Sequence, residues 1–259
     1  MLVPMERNSQ PESIGCQACL DGAGLGFDFK MAFQPIVRIS DRSVFAQEAL
    51  CRGMEGQGAA HVLQQVDENN LYRFDQTARV KAIETASRIG LETGLSINFL
   101  PNAVYRAETC IRATLEAASK FEFEKRKLIF EVSETERIVE PEHLLSILRE
   151  YRSHGFLTAL DDFGSGYSGL RLLTRFQPDI VKLDRDLVSD IHSDDIKQKI
   201  LRNLLAMARD LGMNMVAEGI EKKEEAKYLV DQGINLLQGY LLARPALESQ
   251  PEIDWGWLD

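Results

Sequence analysis

The sequence predicts an α/β barrel of the (β/α)8 TIM type in which the first hairpin makes one strand antiparallel. Eight short apolar segments recur along the chain, and helical patterns separate most of them. Only residues 38–43 lie between the first two segments, whereas a parallel crossover needs roughly a dozen residues, so this pair is predicted to be a hairpin. An open doubly wound sheet is the alternative, but no glycine-rich phosphate loop follows the first strand.

The predicted strands are apolar runs, often β-branched, that are bounded by polar or turn residues. In chain order they lie near residues 31–36, 44–50, 95–99, 127–132, 157–161, 179–183, 213–217 and 235–238. After the second strand come two helical patterns, HVLQQVDENN and LYRFDQTARVKAIETASRIG. The patterns IKQKILRNLLAMARDLG and KKEEAKYLVDQG precede the last two strands and end in glycine, which is typical of helix C-caps.

Residues 1–26 show no period and are predicted to be an N-terminal tail, so that residues 27–259 form one domain. The tail contains Cys16 and Cys19 as a C-x-x-C pair, and no second pair follows to complete a structural zinc site. We expect these cysteines to be reduced thiols.

Composition restricts the functional classes. The formal net charge of −10 argues against general affinity for DNA or for an anionic membrane. No apolar stretch approaches the roughly 18 residues of a membrane span, and the N-terminus lacks the apolar centre of a secretory signal. We therefore expect a cytoplasmic protein that binds neither DNA nor membrane.

Polar side chains stand at or near the ends of almost all the predicted strands. They are Glu48, Asn98, Glu131, Asp161, Asp162, Lys182, Glu218 and Gln238. In α/β barrels the carboxyl ends of the parallel strands form the active site, so we expect these side chains to converge. Several carboxylates in one place repel one another unless cations lie between them. Oxygen ligands without histidine or cysteine favour Mg²⁺ or Mn²⁺, and a pair of such ions suits phosphoryl transfer.

The motifs around these positions resemble those of a known family. The segments QEALCRG, SINFLP, FEVSETE, LDDFGSGYSGL, DIVKLD, VAEGIE and LLQGYLLARP are similar to the successive motifs of EAL domains, from about Lys30 to Pro245. The triplet Glu48-Ala49-Leu50 matches the one that names the family. The resemblance implies a (β/α)8 phosphodiesterase that hydrolyses cyclic-di-GMP to linear pGpG and forms a homodimer. Because Ca²⁺ takes longer and more flexible bonds than Mg²⁺, we expect Ca²⁺ to support substrate binding and inhibit hydrolysis.

The resemblance also implies roles for individual residues. Ligands of the first metal would be Glu48, Asn98, Glu131 and Asp161. A second metal would be bound by Asp161 and Asp162, with Asp184 and Gln238 in support. Lys182 would orient the attacking water, and Glu218 would contact that water or a metal. Glu134 would anchor the loop after Asp161. Contacts to the dinucleotide would come from Gln34 and Arg52, and Gln238 is also expected near the substrate.

Two departures from the family pattern stand out. Gly53 follows Arg52 where many members have an aromatic residue, which could alter substrate affinity. Ser165 replaces a common threonine and keeps the hydroxyl group. Neither departure removes a predicted metal ligand.

Three functions compete at this stage. An active phosphodiesterase uses all the predicted ligands. A non-catalytic receptor for cyclic-di-GMP or for a protein is the second reading, although such domains usually lack some ligands. A barrel glycosidase would need only two carboxylates and leaves Lys182 and Asn98 unused. Regulation would come from dimerisation, the tail or a separate regulatory protein.

Overall fold

A computed structural model describes residues 25–104, 106–135, 140–166 and 169–258 of the chain. Within these ranges, nine strands and eight helices form one closed barrel with its helices outside. Nearly all of the predicted tail, including Cys16 and Cys19, lies outside the described residues. None of the helices in the described ranges combines the length and the apolar character needed to cross a bilayer.

The strands are β1 (Lys30–Arg38), β2 (Ser43–Arg52), β3 (Gly94–Asn98), β4 (Leu128–Ser133), β5 (Leu157–Phe163), β6 (Ile180–Leu183), β7 (Asn214–Ala217), β8 (Leu236–Leu237) and β9 (Ala246–Leu247). The helices are α1 (Ala59–Leu63), α2 (Leu71–Arg88), α3 (Ala107–Lys120), α4 (Pro141–Ser153), α5 (Gly169–Leu173), α6 (Arg185–Val188), α7 (Asp195–Asp210) and α8 (Lys223–Asp231). Short 3-10 turns cover Pro101–Ala103 and Lys125–Lys127. All eight predicted strands are present, and β9 is an addition that the sequence analysis missed.

The first helical pattern after β2 is shorter than predicted. Helix α1 ends at Leu63, and the chain then forms turns up to Asn70. Asp67 Oδ1 accepts the backbone N–H groups of Asn69 and Asn70, at 2.9 and 3.1 Å. These local side-chain bonds compete with helical hydrogen bonds, so the polar DENN segment does not extend the helix.

The first hairpin closes the barrel as predicted. β1 runs antiparallel to β2, with Gln34 opposite Glu48, and antiparallel to β8, with Val37 opposite Leu237. Every other neighbouring pair from β2 to β8 is parallel. β9 pairs with β1 at Ala32 and Phe33, which the two-residue β8 does not reach. The (β/α)8 barrel with one reversed strand is therefore confirmed.

The end of the barrel at which the parallel strands begin is filled by a layer of small and branched side chains. This apolar plug consists of Ile36, Ala46, Ile129, Ala159, Ile180, Val216 and Leu236, all buried. Strand β3 contributes Gly94, where an added Cβ would lie 3.0 Å from Ala46 Cβ. Each of the eight barrel strands thus supplies one residue to the plug, and the barrel is a packed core rather than a pore.

Candidate functional site

The candidate site lies directly above the apolar plug. Because side chains on one face of a strand recur every two residues, the positions two residues from the plug form the next inward layer. These positions are Gln34, Glu48, Ser96, Glu131, Asp161, Lys182, Glu218 and Gln238. All eight are polar, and seven of them are buried. On every strand, the inward-facing residue is therefore apolar in the plug and polar two residues away.

Lys182 lies at the centre of this polar layer. Its Nζ is 2.6 Å from Glu218 Oε1, 2.9 Å from Glu131 Oε2, 3.1 Å from Asp161 Oδ1 and 3.5 Å from Glu48 Oε2. The Lys182 side chain is 1% exposed, so these ion pairs are shielded from solvent. One ammonium group cannot neutralise four carboxylates, and the cluster needs further positive charge or protons.

Amide and hydroxyl groups orient two of the carboxylates. Asn98 Nδ2 donates to Glu48 Oε1 at 3.0 Å, and Gln238 Nε2 donates to Glu48 Oε2 at 2.7 Å. The Ser96 hydroxyl donates a short hydrogen bond to Glu131 Oε1. Each of these hydrogen bonds is accepted by a carboxylate oxygen of Glu48 or Glu131, so the contacts hold both carboxylate groups in fixed orientations.

Burial and mutual repulsion change the protonation of the acids. Burial raises the pKa of Glu131 to about 8, although Lys182 acts in the opposite direction. Burial also raises the pKa of Glu218 well above its usual value, with Asp161 and Glu48 adding to the effect. Burial alone would lower the pKa of Lys182, but the four carboxylates raise it well above its usual value. The cluster therefore favours the charged form of Lys182, and burial favours the protonated forms of Glu131 and Glu218.

The donor set fits divalent cations. Glu48, Glu131 and Asp161 form one group of ligand oxygens, and Asp161, Asp162 and Glu218 form a second. Within each group the oxygens lie within 4.8 Å of one another, and Asp161 belongs to both. Carboxylate and amide oxygens are the ligands that Mg²⁺ and Mn²⁺ prefer. Because Asp161 belongs to both groups, the arrangement could hold two cations.

Asp162 faces the second group because its backbone is unusual. Its φ of +54° places it in the left-handed region, and the register of β5 shifts there, so the usual alternation of consecutive side chains between opposite faces is broken. Ser133 Oγ donates to Asp162 Oδ2 at 2.7 Å. Burial raises the pKa of Asp162, and the nearby Asp161 and Asp184 carboxylates add to this. Asp184 also caps the short helix α6, where its Oδ1 accepts the N–H of Asp186 at 2.7 Å.

Glu134 binds both ends of the segment that follows Asp162. Its Oε2 accepts the N–H of Gly164 at 2.7 Å, and its Oε1 accepts the N–H of Gly169 at 2.6 Å. A Cβ on Gly166 would lie 2.9 Å from Glu134 Cγ, so this glycine allows a close approach. Glu134 thus lies where an anchor of this loop is predicted, and its effect on activity stays a prediction.

Two of the three residues predicted to contact substrate lie in the polar layer. Gln34 Nε2 donates to the carbonyl of Ala243 at 3.3 Å, and Gln34 Oε1 accepts from Gln238 Nε2 at 3.5 Å. Arg52 lies outside the polar layer, at the C-terminal end of β2, and its Nη1 donates to the carbonyl of Cys51 at 2.7 Å. Arg52 is half-buried at the mouth of the barrel, and its substrate contact stays a prediction.

Gly53 has a structural explanation. A Cβ at this position would lie 2.2 Å from Gln57 Oε1 and 3.0 Å from His61 Cδ2. The side chain of Gln57 therefore occupies the space that a residue 53 side chain would need. An aromatic residue at position 53 requires a different Gln57 conformation, so the departure from the family pattern is accommodated by Gln57.

Two serines of the site, Ser96 and Ser133, were not among the predicted site residues. A usable signal exists for Ser96, because it lies in an apolar strand two residues before Asn98 and so shares its face. No comparable pattern marks Ser133, since its partner Asp162 is 29 residues away and on another strand.

Comparison with solved structures agrees with the fold. The barrel superposes with a TM-score of 0.88 on a standalone versatile EAL protein from Vibrio cholerae O395 in its c-di-GMP-bound form. The two are 47% identical, and the match covers 91% of this chain and 100% of that one. BlrP1 of Klebsiella pneumoniae, in a complex with manganese and cyclic-di-GMP, is 36% identical with a TM-score of 0.83. That match covers 88% of this chain and 58% of BlrP1.

Two curated relatives from Escherichia coli (strain K12) differ in the function that their names state. The blue light- and temperature-regulated antirepressor BluF is 28% identical over 86% of this chain and 56% of BluF. The probable cyclic di-GMP phosphodiesterase PdeG is 30% identical over 92% of this chain and 48% of PdeG. The chain spans about half the length of these two relatives. The sequence profile of the EAL domain matches residues 20–245, and the chain belongs to the EAL domain family.

Proposed function

We propose that the protein hydrolyses cyclic-di-GMP to linear pGpG with two divalent cations, Mg²⁺ or Mn²⁺, in the polar layer. The observation that carries this proposal is the pair of oxygen groups that share Asp161 around Lys182. Divalent cations supply Lewis-acid activation of water and of the phosphodiester when they are bound. The manganese and cyclic-di-GMP complex of BlrP1 supports the same choice of cation and substrate.

The protein's own residues hold and orient the reacting groups. Glu48, Glu131 and Asp161, with the amide of Asn98, would hold one cation. Asp161, Asp162 and Glu218, with Asp184 nearby, would hold the other. The cationic Lys182 can donate a hydrogen bond to the attacking water and stabilise negative charge on the phosphate.

Glu218 would help to position that water. Its Oε1 lies 2.6 Å from Lys182 Nζ, so both groups can contact a water molecule beside the second group of ligand oxygens. Gln34, in the polar layer, and Arg52, at the mouth of the barrel, would bind the dinucleotide. Gln238 would keep Glu48 in place through its 2.7 Å hydrogen bond.

A homodimer is part of the proposal. Helix α7 exposes Ile196 and Ile200, and Leu211 directly follows the helix, with exposed fractions of 63%, 41% and 41%. Leu170 on α5, which begins just after the loop that Glu134 binds, is 61% exposed. Burying these side chains against a second copy would remove apolar surface from water. A dimer that buried Leu170 would connect partner binding to the loop that follows the metal ligands.

A non-catalytic receptor is the second candidate, because BluF is an antirepressor that matches 86% of this chain. Regulation by a separate protein and a cytoplasmic location are expectations that both candidates share. The test is to incubate the protein with cyclic-di-GMP and Mg²⁺ or Mn²⁺ and to separate the products by chromatography. We expect pGpG. Tight binding of cyclic-di-GMP without turnover in either metal would assign the protein to the receptors.

A further inference from the structure

A second cavity opens at the other end of the barrel from the candidate active site. It measures about 380 Å³, within the roughly 300–1,000 Å³ range of small-molecule pockets. Its walls come from the N-terminal ends of β7 and β8, the last turn of α7 and the loop after α8. Ala208, Met213, Met215 and Leu236 line it and are each at most 8% exposed, so the apolar wall is part of the folded core.

The apolar plug separates this cavity from the active site. Leu236 belongs to both the plug and the cavity wall, whereas Gln238, two residues further on, binds Glu48. Met215 lies in the wall three residues before Glu218. A molecule in this cavity would therefore contact the two strands that carry Glu218 and Gln238, without reaching the polar layer itself.

The charges around the cavity have one sign. Arg38 and Arg209 line it, and none of the described lining residues is acidic. Arg209 forms no ion pair within the described part of the chain, and Arg38 pairs with Asp41 through an exposed contact of 3.4 Å. The Arg38 guanidinium also lies 5.2 Å from the ring centre of Phe45, another lining residue. The exposed Arg209 and the half-buried Arg38 therefore line the same cavity as the apolar wall.

We propose that this cavity binds a small organic anion, with its apolar body against Met213, Met215 and Leu236 and its acidic group between Arg38 and Arg209. The apolar wall favours a planar or branched hydrocarbon body. Guanidinium groups pair well with carboxylates, sulfonates and phosphates, and they bind more strongly where water is excluded. This binding site does not depend on the proposed hydrolysis.

The probe for this site is 8-anilinonaphthalene-1-sulfonate, an aromatic anion whose fluorescence rises in apolar surroundings. Its uncharged analogue N-phenyl-1-naphthylamine has the same body without the sulfonate. We expect Arg209→Glu and Arg38→Glu each to weaken binding of the anion by about tenfold or more, and to change binding of the analogue less than twofold. Arg202→Glu is the matched control, because Arg202 lies on the same helix outside the cavity and its replacement should change neither titration.

Two further measurements keep the test decisive. Ile196→Glu removes the most exposed apolar side chain of α7, and it should leave the anion titration unchanged if the probe binds in the cavity. In the wild-type chain, which has seven methionines, the methyl signals of Met213 and Met215 should shift most when the anion is added. Equal affinity in wild type, Arg38→Glu and Arg209→Glu would overturn the proposal, as would methyl shifts confined to the other five methionines.

Discussion

The carboxylate of Glu134 accepts the backbone N–H of Gly169 at 2.6 Å, and its Cδ lies only 2.8 Å from where a Cβ on Gly169 would be. Glu134 and Gly169 are thus both hydrogen-bonded and closely packed. The same carboxylate accepts the N–H of Gly164, so it binds both sides of the segment that follows Asp161 and Asp162. The conformation of this segment and the position of two predicted metal ligands are therefore linked.

Replacing Glu134 by alanine should release the loop. We expect turnover of cyclic-di-GMP to fall by about tenfold or more, as for loss of an outer-shell partner of a metal site, and to recover partly at high metal concentration. Turnover measured against metal concentration, together with thermal melting, checks this. Glu124→Ala, at an exposed surface pair, is the control. A lower melting temperature with unchanged turnover per folded molecule would show that Glu134 is only structural.

Glu48→Ala should remove a ligand from the first oxygen group together with the acceptor of the hydrogen bonds from Asn98 and Gln238. We expect turnover to fall by at least the roughly 100-fold that an outer-shell change can cost, because a ligand contributes more. Binding of Mn²⁺ measured by calorimetry should weaken in parallel. The exposed Glu55→Ala variant serves as the control. Wild-type turnover of Glu48→Ala at limiting metal would contradict the assignment.

Lys182→Met should leave four carboxylates without their shared ammonium group. Breaking a buried ion pair on one side costs about 3–5 kcal/mol, which corresponds to roughly 6–20 °C in melting temperature for a chain of this size. We expect added Mn²⁺ to restore much of this stability but not the turnover. Lys223→Met, on the exposed first turn of α8, should change neither quantity. A variant that melts like the wild type without metal would show that protonation alone compensates the cluster.

The benefit of metal should grow with pH. Burial raises the pKa of Glu131 from 4.5 to about 8, so the metal-free folded protein holds a proton that the unfolded chain releases. Its contribution to stability is therefore complete below about pH 4.5 and is lost as the pH rises through about 8. A cation needs the deprotonated carboxylate, so the melting shift caused by Mn²⁺ should be larger at about pH 9 than at about pH 6. Glu131→Gln should weaken this trend, and an equal shift at both pH values would contradict it.

Calcium should bind without supporting hydrolysis. Ca²⁺ takes longer and more flexible bonds than Mg²⁺, about 2.3–2.6 Å against 2.0–2.1 Å, so it should misplace the attacking water. BlrP1 has been crystallised with calcium and cyclic-di-GMP, which supports the binding part of this prediction. We expect Ca²⁺ to inhibit turnover in Mg²⁺ in a competitive manner. Full turnover in Ca²⁺ alone would contradict the proposed two-cation geometry.

The sequence alone determined the barrel and the chemical type of its site. Eight apolar runs with a six-residue link between the first two predict the (β/α)8 sheet and its reversed strand, because strand period and crossover length are local properties. Strand-end residues such as Glu48, Glu131 and Lys182 could be identified from the same runs. The turn at Asp67 and Asn70 was not predicted from local pattern. Its side-chain hydrogen bonds end a helical pattern that looks continuous in the sequence.

Only the tertiary structure decided how these residues act together. The step from apolar plug to polar layer depends on all eight strands having their register aligned, and no single strand contains that information. The contact of Lys182 with four carboxylates and the bond from Ser133 to Asp162 join positions that are distant in the chain. The cavity lined by Arg38 and Arg209 also brings together residues that are far apart in the sequence. Local pattern specifies each element, whereas barrel closure brings their side chains within bonding distance and sets their charges and pKa values.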